Sequence, residues 1–392
     1  PREAPRHVAG AAGAIDNDLA RPHVHPRCGR ILPDPVEAAA HQVVHDVVAR
    51  GHAVEDTAHE AGLLVRRHVF VAEGRRGLGH GRGLSRDRPR PEASRRTRAL
   101  RYGPVMPELP EVETVRRGLE PTLVGARFAR VEQRRPDLRF LFPEDFVARL
   151  TGARVLSLDR RGKYIQAPLD TGETLIVHLG MTGRFKIEAG ASGIVPGAFA
   201  HAAPDAEAHA HVVFETDRGA RITFFDARRF GFMDIARTDA LGAYPAFAAM
   251  GPEPLGSEFD ADYLQRRLTG RRQSIKAMLL DQSTVAGLGN IYVNEALHRA
   301  HIDPRAEAGE LSRSRLKRLI AAIRAVLAEA IEAGGSTLRD YAGADGAPGY
   351  FQHVFRVYGR AGEPCPARGC KGVVQRIVQN GRSTFRCDGC QS

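Results

Sequence analysis

Four cysteines, Cys365, Cys370, Cys387 and Cys390, stand as two close pairs, with four, sixteen and two residues between successive members. Two thiolate pairs at that spacing, joined by a hairpin's length of chain, suit tetrahedral coordination of one structural zinc ion (Zn²⁺). Paired disulfides are the alternative, but only five cysteines in 392 residues, four of them bunched together, point to a metal site in a reducing compartment. Between the pairs, Asn380-Gly381 reads as a tight turn joining strands over 372–379 and 382–387. Arg376, Arg382 and Arg386 on that hairpin would form a basic arm able to reach phosphates.

A second group with reactive potential is the run Met106-Pro107-Glu108-Leu109-Pro110-Glu111. Met106 is the first of five methionines, and the small residue after it would permit trimming of an initiator methionine. Trimming would leave a secondary amine on Pro107 with the Glu108 carboxylate beside it. An α-amine has a reference pKa of about 7.7–8.0, so a useful fraction is neutral near neutral pH. Such an amine can attack carbon and form an iminium, while Glu108 moves protons as acid and base. The same run also reads as an ordinary helix start. Pro110 suits a first turn, Glu111 and Glu113 suit the positive end of the helix dipole, and Val112, Val115 and Leu119 recur at helical spacing.

Further candidates are weaker taken singly. Lys163, in Arg160-Arg161-Gly162-Lys163-Tyr164, taken alone reads as a solvated strand-end lysine. Met181 stands in a glycine-flanked turn, and Arg228 and Phe230 lie two apart in a turn. Loops with that content could wedge into the gap left by an extruded base, or could simply be core methionine and phenylalanine. His209 and His211 precede or enter a strand. Lys276 lies on a helix, followed by Gly287-Leu288-Gly289-Asn290-Ile291-Tyr292. A helix, a glycine-rich turn and a second helix would aim backbone N–H groups at a phosphate, or would be a plain helical turn.

The elements that must position these residues divide into zones. The formal charge of +11 favours an acidic partner, with nucleic acid ahead of a membrane surface, since no long apolar run or basic amphipathic helix supports the latter. Residues 1–105, with 18 arginines, 12 acidic residues and nine histidines, are read as a basic extension: an upstream region translated from a mis-set start, a DNA-binding arm, or a small separate domain. Residues 107–235 read as a β-sandwich or barrel behind a helix over 110–119, with strands over 126–133, 154–159, 164–168, 174–178, 211–215 and 221–225 and a surface loop over 188–208. A linker spans 236–252. Residues 253–350 are helical, over 260–268, 275–281, 291–299 and 312–333, and end in a loop over 339–350. Residues 351–392 carry the cysteine hairpin. The fold class is thus α+β.

From Met106 to the last residue the chain resembles the bacterial formamidopyrimidine-DNA glycosylases, whose mature chains begin Pro-Glu-Leu-Pro-Glu. The resemblance implies a helix–two-turn–helix domain, a zinc finger, damaged double-stranded DNA as partner and a monomer in the cytoplasm at the nucleoid. It also implies removal of oxidised purines (8-oxoguanine and formamidopyrimidines) followed by β,δ-elimination through a Schiff base on Pro107, with Glu108, Lys163 and Arg382 catalytic. In the same terms Met181, Arg228 and Phe230 would fill the void left by the base. His209, His211, Lys276, Asn290 and Tyr292 would serve DNA binding, and the loop over 339–350 would cover the everted base. Two rivals stay open. One is an endonuclease VIII-type enzyme for oxidised pyrimidines, although that branch tends to have glycine after Pro-Glu. The other is a DNA-binding protein without activity, expected if residues 1–105 remain attached and leave the Pro107 nitrogen an amide.

Overall fold

The structure is a computed structural model and describes residues 106–188, 207–336 and 350–392. The expected extension over 1–105 and nearly all of the two expected loops, over 188–208 and 339–350, lie outside the described residues.

The chain enters through helix α1, Leu109–Leu123. It runs four residues past the expected end and carries Pro121 within its last turn. Two four-stranded antiparallel sheets follow. One is ordered β1 (Phe128–Gln133), β6 (Ala210–Thr216), β7 (Arg221–Phe225), β5 (Arg184–Glu188); the other β2 (Asp159–Arg161), β3 (Tyr164–Pro168), β4 (Glu173–His178), β8 (Phe232–Arg237). Alternation puts Ile165 and Ala167, Leu175 and Val177, and Ile222 and Phe224 into one shared core with Val112, Val115 and Leu119 of α1. Helix α2 (Phe146–Leu150) adds Phe146 and Leu150 to that core.

Three strands went unread in the sequence, β2, β5 and β8; the strand expected over 154–159 reaches β2 only at Asp159 and is otherwise a bridge-forming segment in which Arg154 pairs with Arg127 and Val155 with Leu169. β8 was obscured because both faces of its sheet are covered. Phe232 joins Tyr164, Ile176 and Phe247 of helix α3 (Pro245–Ala248) in a small second cluster on the outer face, so the simple in–out alternation is lost.

Helices α4 (Ala261–Leu268), α5 (Ile275–Leu280), α6 (Asn290–Arg299) and α7 (Arg313–Glu332) build the second core. Asp260, Ser274 and Ser312 cap three of them through their side chains. The hairpin β9 (Val374–Gln379) and β10 (Arg382–Cys387) packs on this core through Val374 and Phe385. Leu109 also belongs to it, whereas the next turns of α1 belong to the sandwich core. The first helix therefore pins the two halves together. Among the described residues no helix is long and apolar enough to cross a membrane.

Candidate active site and nucleic-acid interface

The first turn of α1 and the first turn of α6 meet head to head, and Glu108 lies between them. Its side chain is buried, with Oε1 accepting from Ile291 N–H at 2.8 Å and Oε2 from Tyr292 N–H at 3.4 Å. The carboxylate thus occupies the positive end of α6, the position that the glycine-rich turn was expected to offer a phosphate. That turn is shaped to admit it. Gln282 braces the turn by accepting from Gly287 N–H at 2.8 Å and donating to the Leu288 carbonyl at 2.9 Å. A methyl group on Gly289 would fall 2.3 Å from Glu108 Cδ, so only glycine fits there.

Glu111 closes the other side. It accepts from the Glu108 N–H at 2.9 Å, from the Tyr292 hydroxyl, and from Ser336 N–H and Oγ–H at 2.8 and 2.9 Å. Ser336 precedes the undescribed stretch 337–349, whose two ends are paired, Ser336 with Tyr350. Two buried carboxylates side by side disfavour ionisation. Burial pushes Glu108 up to about 7, Lys163 draws it down, Glu111 raises it, and the two α6 amides lower it. Burial likewise raises Glu111.

Two lysines, Lys163 and Lys276, interact electrostatically with the Glu108 carboxylate, and Arg382 acts on both of them. Lys163 is part-exposed at the turn between β2 and β3. Burial depresses its ammonium, Glu108 supports it, and Arg382 depresses it further. Its turn is anchored to the second half of the chain by Glu253, which accepts from Gly162 N–H at 2.7 Å, Arg160 at 2.7 Å and Arg161 at 3.1 Å. Lys276 is 1 % exposed and so lies beneath the surface. Its Nζ donates to the Ser383 carbonyl at 3.0 Å and Thr384 Oγ1 at 2.7 Å. Asn290 Nδ2 donates to the same Ser383 carbonyl at 3.0 Å. Lys276 and Asn290 therefore fasten the strand that begins with Arg382, which stays part-exposed at the hairpin turn. Arg386, expected on the phosphate-facing arm, turns inward instead and pairs with Asp303 at 2.8 Å.

Arg228 is exposed, with its guanidinium 4.7 Å from the Phe230 ring centroid. Met181 is 9 % exposed in the adjoining turn. What joins these two loops is Asp226, a residue the sequence did not single out. Its buried carboxylate accepts from Gly231 N–H at 2.7 Å and from the Thr182 hydroxyl, which in turn accepts from Arg228 N–H at 3.1 Å. His211 is buried, its Nε2 2.9 Å from the Asp226 carbonyl, whereas His209 is exposed. The histidines therefore differ: His211 supports the turn bearing Arg228 and Phe230 from below, and His209 faces outward.

The four hairpin cysteines come together with all their sulfurs within 4.8 Å of one another. A tetrahedral zinc with Zn–S of about 2.3 Å sets sulfurs about 3.8 Å apart. The pairs Cys365–Cys390 and Cys370–Cys387 stand at 3.7 and 3.6 Å, so the cluster fits zinc. A methyl on Gly372 would lie 2.6 Å from Cys387 Sγ, which leaves room at that point for the sulfurs alone.

A sandwich joined to a helical zinc-finger domain, with a buried carboxylate facing two lysines, defines a DNA-handling enzyme. Comparison with known proteins gives the family. The family model described as the formamidopyrimidine-DNA glycosylase N-terminal domain matches residues 106–233, and that of the formamidopyrimidine-DNA glycosylase H2TH domain matches residues 250–342. The chain belongs to the formamidopyrimidine-DNA glycosylase family. It is 63 % identical over 286 residues to the formamidopyrimidine-DNA glycosylase of a Caulobacter species, covering 73 % of this chain and 100 % of that one. It is 59 % identical over 287 residues to that of Phenylobacterium zucineum, with the same coverage. Among solved structures it is similar to the MutM (Fpg) protein of Thermus thermophilus, at 40 % identity and a TM-score of 0.62 over 73 % of this chain and 98 % of that one. It is also similar to a Lactococcus lactis Fpg variant in complex with Fapy-dG-containing DNA, at 35 % identity and a TM-score of 0.63 over 73 % of this chain and 100 % of that one.

Proposed function

We propose that this protein excises oxidised purines, 8-oxoguanine and formamidopyrimidines, from duplex DNA and then nicks the strand at the exposed sugar. The observation that carries the reading is the Glu108 carboxylate. It is buried at the start of α6, beside the proline that would be the nucleophile, and held at about 7 by burial. Near neutral pH it is present in both protonation states, as a group that must both give and accept protons requires.

In the mechanism the neutral amine of Pro107 attacks the sugar's C1′. The glycosidic bond breaks with its electron pair leaving on the base, and the nitrogen–carbon bond becomes an iminium. A secondary amine gives an iminium that cannot lose its charge by deprotonation at nitrogen, so it acidifies the neighbouring C–H and drives β- and then δ-elimination of the two phosphates. Glu108 supplies the proton needed to open the sugar ring and recovers protons later. Lys163 and Arg382 hold the phosphates beside the lesion, while Asn290 and Lys276 fix the strand that carries Arg382. Met181, Arg228 and Phe230 fill the space of the extruded base, with His209 at the adjoining backbone. The cysteine cluster holds zinc as a structural ion, which keeps the hairpin folded. The site of action would be the nucleoid in the cytoplasm, with the protein acting as a monomer.

In the 392-residue chain the Pro107 nitrogen is part of the Met106–Pro107 peptide bond, and an amide nitrogen cannot perform the first step. The test is borohydride trapping on an 8-oxoguanine duplex, with a form beginning at Pro107 beside the full chain. Covalent trapping of the short form alone is the expected result. Trapping of both forms equally, or of neither while both bind the duplex, overturns the proline mechanism.

A further inference from the structure

Asn290, Asn294 and His298 recur every fourth residue along one face of α6, and all three turn toward the zinc hairpin. Asn290 donates to the Ser383 carbonyl, and Asn294 Oδ1 accepts from Phe385 N–H at 2.8 Å. His298, 1 % exposed, has its Nε2 3.3 Å from Cys365 Sγ and 3.7 Å from Cys390 Sγ. Since those sulfurs are themselves 3.7 Å apart, the imidazole sits over one edge of the metal tetrahedron.

The second ring nitrogen decides which way the proton lies. His298 Nδ1 is buried and has no hydrogen-bond partner. A proton on Nδ1 would orphan a buried donor and aim the Nε2 lone pair at thiolate sulfur. A proton on Nε2 leaves only a bare acceptor unpaired and puts a donor against the anionic sulfurs. Four thiolates around a divalent ion leave two negative charges in the cluster, which N–H donors offset. Backbone N–H groups do so at Cys370, from Gly372 at 3.3 Å, and at Cys365, from Ala367.

We propose that His298 is a positioning residue for the metal: its Nε2–H holds the Cys365 and Cys390 thiolates from outside the coordination sphere and so ties zinc retention to the helix that carries the Glu108 site. Donors of this kind orient ligands and typically contribute about 10–100-fold in metal affinity. The helix then contacts the hairpin at three levels, and the third holds only while the metal keeps its thiolates in place.

The test uses zinc-loaded full-length protein and a chromogenic chelating dye as acceptor. Parent, His298→Phe and His298→Gln are compared for the rate of zinc transfer, with zinc content and melting temperature measured on each. His298→Phe, which keeps a ring and removes the donor, is expected to release zinc about 10–100-fold faster. His298→Gln, which keeps an N–H donor, is expected to recover most of that loss. Equal release from parent and His298→Phe, or no recovery in His298→Gln, overturns the proposal. Should either variant fail to fold, the parent alone decides. With NMR-active cadmium in place of zinc, a scalar coupling between the metal and the His298 ring N–H proton is expected through the hydrogen bond, and its absence overturns the assignment. No readout involves DNA cleavage, so failure here leaves the proposed reaction untouched.

Discussion

Replacing Glu108 by glutamine should stabilise the fold while abolishing activity. In the folded chain burial raises the carboxyl from its ordinary value of 4.5 to about 7. At about 1.36 kcal/mol per pH unit, that corresponds to about 3 kcal/mol. The sign follows from proton binding. Between 4.5 and about 7 the folded state holds a proton that the unfolded chain has lost, so stability falls as pH rises through this window and the loss is complete above it. A glutamine has no such loss, and its carbonyl oxygen can still accept from Ile291 N–H. The assay is thermal unfolding of parent and Glu108→Gln across about pH 4.5 to 8. The gap in favour of the variant should grow by about 3 kcal/mol, roughly 6–12 °C at about 2–4 °C per kcal/mol, and then level off. A gap independent of pH, or one that grows toward acid, would refute the account of Glu108 as a carboxyl held up by burial. Base release and strand nicking should be lost in the variant at every pH.

Lys276 makes the converse prediction. Burial lowers its ammonium from 10.5 to about 7, so stability should rise with pH between those values, and Lys276→Met should remove that rise; urea unfolding at about pH 7 and 10 checks it. Gly289→Ala places a methyl against the Glu108 carboxyl and should cost about 1–3 kcal/mol, with near-complete loss of base release, read by melting and by single-turnover assay. Asp226→Ala frees the two wedge loops and should raise KM for lesion duplex by about tenfold or more, with a smaller change in kcat, a split measurable by steady-state nicking. Stripping zinc with a chelator should abolish duplex binding, measured by gel shift, because Arg382 then loses its strand.

Much of the architecture was legible because the strongest signals are local. The cysteine spacing, Asn380-Gly381 and the helical pattern over 312–333 each encode structure locally, and the hairpin and α7 fall within two residues of the expected bounds. β2, β5 and β8 were missed because a strand covered on both faces, or short and at a sheet's edge, carries no clean alternation. The site residues were legible as types, but their duties were not. Glu108 and the α6 amides lie 183 residues apart, and Lys276 meets Thr384 across 108; no periodicity reports such pairings. Asp226 left only an indirect trace, as the acidic start of the turn bearing Arg228 and Phe230. Asn290, Asn294 and His298 form a stripe at every fourth position of a helix whose faces are mostly buried, and such a buried polar stripe asks for a polar neighbour.

The carboxylate that caps α6 comes from one half of the chain, while the cap it fills belongs to the other. On the proposed mechanism neither half owns a complete catalyst. A chain cut in the 236–252 region and expressed as two pieces would therefore behave as an AND gate, reconstituting chemistry only on correct docking. Drift in either half would be filtered by its fit to the other, and a splayed arrangement, however well each part folds, would handle DNA without the means to cut it.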